Sequence, residues 1–107
     1  MSTFDQREDS FEKRYVHDEE LRFKAEARRN KLVGLWAAEK LGKTGAEAQA
    51  YADRLVAAEV SADADERVVA TVKRDFEAAK VDQSEHQIRR TMDEMLAKAK
   101  AEIQAGA

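Results

Sequence analysis

Very little in this chain is arranged for covalent or metal chemistry. It has no cysteine, which removes disulfides, thiolate nucleophiles and cysteine-based zinc or iron-sulfur sites together. His17 and His86 share no metal-ligand spacing and read as cap or surface residues. Carboxylates occur as adjacent pairs, Asp18 with Glu19 and Asp93 with Glu94, and neighbours on a helix point in different directions, which is wrong for acid/base partnership. Ser10, Ser61 and Ser84 lack a nucleophile framework, and Ser84 is better used as a helix cap. Gly42-Lys43-Thr44 has the last residues of a phosphate loop, but position 37 is alanine where such a loop needs glycine, and the context is helical. The chain is therefore expected to be a non-enzyme with no metal and no required cofactor. Weak adenine-nucleotide binding elsewhere on the protein stays open.

Binding chemistry is better represented. Phe4, Phe11 and Tyr15 fall at i, i+7 and i+11, on one helical face among charges. Such a stripe suits docking of an amphipathic helix into a partner's groove. Alternatively it folds back as an extra helix or forms a mobile tail. A second candidate surface is the basic set Arg22, Arg28, Arg29 and Lys31, suited to phosphates, an acidic protein surface or plain solvent.

The elements that would carry these residues are helices. The chain has 107 residues, no proline and four glycines, and its plentiful Ala, Glu, Lys, Arg and Leu favour helix almost throughout. That length allows one modest core. With 22 acids against 19 bases the net charge is -3, which argues against nucleic-acid binding. The first twenty residues carry seven acids and no apolar run, so neither a signal peptide nor membrane insertion is expected.

Asp18-Glu19-Glu20 has the pattern of a cap followed by acids, which predicts a helix over 18–41, ended by Gly42 with Lys40 and Lys43 at its negative end. Asp18 to Arg22 and Glu20 to Lys24 have the spacing of local ion pairs. Thr44-Gly45-Ala46-Glu47 fits a capping box ahead of a second helix over 46–59, with Ala48, Tyr51, Ala52, Leu55 and Val56 on its apolar face. A third is expected over 64–79, burying Val68, Val69, Val72 and Phe76, and a fourth over 85–104, opened by a Ser84–Gln87 box. The fold class is thus all-α: a four-helix bundle over 18–107 with a long first helix and a helix-prone arm over 1–17. An isolated helix of about this length is marginal in water, near the roughly 12–15 residues at which such helices begin to hold, so the arm is expected to fray when the protein is alone.

Glu26-Ala27-Arg28-Arg29-Asn30-Lys31-Leu32-Val33-Gly34-Leu35-Trp36-Ala37-Ala38-Glu39-Lys40-Leu41-Gly42-Lys43 is the most distinctive stretch. With His17-Asp18-Glu19-Glu20-Leu21, Phe23-Lys24-Ala25, and Phe4-Asp5 followed by Arg7, it resembles the zeta subunit of the F-type ATP synthase of alphaproteobacteria, a small inhibitor of ATP hydrolysis. The resemblance implies that the arm enters a catalytic interface between alpha and beta subunits near the gamma stalk while the bundle positions it. On that implication Phe4, Asp5, Arg7, Phe11 and Tyr15 are the inhibitory candidates. The protein would be cytoplasmic, held at the inner membrane's cytoplasmic face through the synthase, and a monomer when free. The chain departs from the family's pattern around Gln6 and Glu8 to Ser10, where a second acid and a further arginine are common. A small helical adaptor for another partner is the alternative reading, ahead of a helix-turn-helix DNA binder or a small enzyme.

Overall fold

The computed structural model describes the backbone of residues 3–57 and 63–105 and the side chains of 19–57 and 63–105. Four helices make it up: α1 (Thr3–Lys40), α2 (Gly45–Ala57), α3 (Ala64–Ala78) and α4 (Glu85–Gln104). Among the described residues there is no strand, as the composition requires. The backbone of α1 runs through Asp18 without a break, and the cap proposed there is a side chain outside the described residues. The end proposed for the second helix, near Glu59, also lies outside them.

α1 is the spine. α2 and α4 pack along it, and α3 closes against α4 and the end of α1 that carries Trp36. The core joins Val33, Ala37 and Ala38 of α1 to Tyr51 and Leu55 of α2, Val68, Val69, Val72 and Phe76 of α3, and Ile88 and Met92 of α4. Trp36 meets Phe76 edge to face, with ring centroids 5.5 Å apart. The stripes expected on α2 and α3 therefore converge with Ile88 and Met92 of α4, and burying a side chain such as Phe76 contributes about 2 kcal/mol.

One residue sets how closely α1 and α2 approach. A Cβ on Gly34 would stand 2.5 Å from the Ala52 Cα and 2.9 Å from its Cβ, closer than atoms can come. Glycine costs about 1 kcal/mol relative to alanine inside a helix, and here it lets two backbones touch.

The helix ends follow from backbone hydrogen bonding. At the end of α1, Gly42 takes φ +77, its N–H reaching the Glu39 carbonyl at 3.1 Å while that of Lys43 reaches Ala38 at 2.8 Å. This is the left-handed Schellman cap expected of Gly42. α3 ends in the same way, with Val81 N–H to the Phe76 carbonyl at 2.8 Å, but the left-handed position is held by Lys80 at φ 59. The Ser84–Gln87 capping box forms in both directions, at 3.2 and 2.7 Å. The box expected of Thr44 and Glu47 does not: Gly45 adopts φ +55, and Glu47 N–H bonds the Thr44 carbonyl at 3.2 Å instead.

Candidate functional site

The inhibitory candidates Phe4, Asp5, Arg7, Phe11 and Tyr15 are carried on α1, and their side chains lie outside the described residues. Where side-chain description begins, the upper turns of α1 are dominated by charge. Arg22 is exposed and pairs with Glu26 at 3.2 Å, an i, i+4 contact worth a few tenths of a kcal/mol at most. The Glu20–Lys24 pair offered by the spacing does not form. Phe23 stands out among these charges, 66% exposed. On another side of the helix, Leu21, Arg22 and Ala25 face Lys100, Ile103 and Gln104 across a groove of about 320 Å³.

The basic set is divided by the fold and does not form one patch. Lys31 is exposed, and Arg28 bridges to Glu102 of α4 at 3.1 Å with both side chains about two-thirds covered. Arg29 turns inward and is only 4% exposed, which corrects its place among surface cations. Its Nε and Nη2 donate to the Asn30 Oδ1 at 3.0 and 2.9 Å, and Nη2 also donates to the Asp65 carboxylate at 2.6 Å. Asn30, fully buried, donates from Nδ2 to the Leu55 carbonyl at 3.5 Å, one of the last-turn acceptors that α2 cannot satisfy by itself. The α1–α2 contact and the start of α3 are thereby tied at one polar point, and a buried charge is matched by fixed acceptors. Sequence reasoning missed Asn30 and Asp65. The available signal was a polar side chain one helical turn before the buried Val33 and Gly34.

Two other polar arrangements are structural. Arg89 of α4 forks onto Glu66 at 2.9 and 2.7 Å and touches Glu85 at 3.4 Å. The Arg89 hydrogen bonds, and then its charge, hold the Glu66 carboxyl below its ordinary value. The Tyr51 hydroxyl donates to Asp75 at 2.8 Å, and burial first, then that bond, pushes its ionisation far up. Lys43 and Arg54 each lie 5.9 Å from the Tyr51 ring centre. Lys43 thus belongs to a helix end, and its N–H is used inside the cap rather than presented to a phosphate. His86 sits exposed in the first turn of α4, apart from any cluster. Among the described residues no group of three or more His, Asp or Glu could hold a metal ion, and no helix is long and apolar enough to cross a membrane.

What these surfaces offer is contact with a macromolecule: a long helix leading away from the bundle, an exposed phenyl ring, and charge on both sides of it. No curated protein matches the chain. A protein solved in solution by NMR is 40% identical to it and superposes with a TM-score of 0.69, over 81% of this chain and 99% of that one. The model of the family described as ATPase inhibitor subunit zeta matches residues 1–102. That match takes in all but the last five residues, so this chain belongs to the ATPase inhibitor subunit zeta family.

Proposed function

We propose that the chain restrains ATP hydrolysis by an F-type ATP synthase by placing its N-terminal arm, residues 1–17, in a catalytic interface between alpha and beta subunits beside the gamma stalk. The observation that carries this reading is the family match, which begins at residue 1 and so includes the arm together with the bundle. The mechanism is steric. Phe4, Phe11 and Tyr15 supply apolar contact in the closing interface, Asp5 and Arg7 supply polar contact, and the inserted helix obstructs rotation in the hydrolytic direction. Rotation in the direction of synthesis expels the arm. Ordering the arm subtracts from its affinity, which makes the attachment reversible.

The bundle over 18–107 anchors and aims the arm. Of the basic set, the exposed Arg22 and Lys31 remain available to a partner's acidic surface, Arg28 reaches it by exchanging Glu102 for a partner's acid, and Arg29 is used inside the fold. No cofactor takes part, and the protein acts as a monomer at the cytoplasmic face of the inner membrane, held there by the synthase.

ATP hydrolysis by the isolated ATPase, freed of its own inhibitor, tests this directly. Full-length protein should inhibit, and protein lacking residues 1–17 should not while keeping the same far-ultraviolet circular dichroism per helical residue. Equal inhibition by both would take function out of the arm; inhibition by neither would end the reading.

A further inference from the structure

Phe23, Asn30 and Gly34 follow one another at spacings of seven and four, which places them within about 20° of a single line along α1. α2 covers two of the three. Asn30 bonds the Leu55 carbonyl, and Gly34 lies against Ala52. Toward the N-terminus from Asn30 the same line emerges at Phe23, which is 66% exposed and stands alone among the described residues as an exposed large hydrophobic. The face of α1 that packs within the bundle thus continues past the bundle's edge.

The charges around Phe23 define what could cover it. Its neighbours on the helix surface are Glu19 and Glu20 one turn before and Glu26 and Ala27 one turn after. Glu19 and Glu20 are exposed and form no ion pair among the described residues, while Glu26 is shared with Arg22. The cations Lys24, Arg28 and Lys31 lie to the sides, about 80–140° round the helix from the ring. A phenyl ring within three carboxylates suits an apolar recess bordered by Lys or Arg. It is poorly suited to a second copy of the chain, because a two-fold contact through Phe23 would set the acidic ring against itself.

Resting on the function proposed above, we infer that Phe23 is a second anchor of the inhibitory interface, seated in an apolar, basic-rimmed recess of the ATPase just outside the cleft that takes the arm. Position 23 lies about 9 Å along α1 from residue 17, so a partner that holds the arm reaches it. The acidic rim selects the recess and the ring supplies the affinity.

The test is a titration of the inhibitor-free ATPase with full-length wild type, Phe23→Ala, and a Glu19→Lys/Glu20→Lys double variant, with melting curves and sedimentation of each. Phe23→Ala should raise the half-inhibitory concentration about tenfold with an unchanged melting midpoint, as an exposed ring that anchors elsewhere must. The double variant should raise it several-fold, by an amount that shrinks as salt is added. Phe23→Ala inhibiting like wild type, while wild type inhibits, overturns the anchor and leaves the arm's role standing. A wild type that fails to inhibit sinks both. A dimer that dissociates in Phe23→Ala, with inhibition unaltered, would put a second copy on the ring and overturn the proposal.

Discussion

Two arginines grip the first turn of α3 from different helices, and they do so on adjacent residues. Arg29 of α1 takes Asp65, and Arg89 of α4 takes Glu66. The pairs have similar lengths, 2.6 and 2.7 Å, and both acids sit where the positive end of the α3 dipole favours them. Their surroundings differ. The Arg29 side chain is 5% exposed and shares its guanidinium with the buried Asn30, whereas Arg89 and Glu66 are 43% and 65% exposed. The first pair joins an interior cation to an acid that is 61% exposed, and removing the cation strands the Asn30 Oδ1, which water cannot reach. The second is a surface fork that water and salt can replace. Distance alone does not separate a structural ion pair from a solvated one; the accessibility of the cation does.

The comparison can be broken at three points. Arg29→Ala should have the largest effect, a loss of about 2 kcal/mol in unfolding free energy by denaturant titration, since it leaves the Asn30 Oδ1 buried without its donor. That loss should persist at about 0.5 M salt, where exposed pairs are screened. Arg89→Ala should cost clearly less at low salt and become nearly silent at high salt; an equal, salt-resistant loss would show the two pairs to be alike. The smallest effect is in pH. Glu66 has its carboxyl held low by Arg89, so its contribution is present above the ordinary value of 4.5 and is lost as pH falls through the lower native value. The difference in melting midpoint between wild type and Arg89→Ala should therefore narrow below about pH 4.5.

The helical architecture was legible because local signals and core pattern agreed. Ser84 with Gln87 forms the expected box, Gly42 takes the expected left-handed cap, and the apolar stripes of α2 and α3 meet Ile88 and Met92 of α4 in one core. Lys80 was not foreseen, because a lysine carries no preference for positive φ and the Schellman hydrogen bonds alone hold it there. Arg29 was misplaced for a related reason. Within Arg28, Arg29 and Lys31 nothing in residue type distinguishes the member that turns inward, and only helical phase together with a carboxylate 36 residues away selects it. Phe23 had its spacing in plain view, but its exposure depends on which turns of α1 the other helices cover, which is a tertiary fact.

Gly34 also fixes a bearing. A helix that touches its neighbour backbone to backbone at one point has little freedom to roll: advancing α1 by a single residue would turn it about 100° and present Val33 or Leu35 to Ala52, with no room for either. The contact therefore works as an index pin, holding α1 at one rotational setting relative to α2. Phe23 lies three turns away on the same rigid rod, about 16 Å along it. Its compass direction is set by a residue that never meets a partner, so a side chain forced in at position 34 would misdirect the exposed ring without touching it.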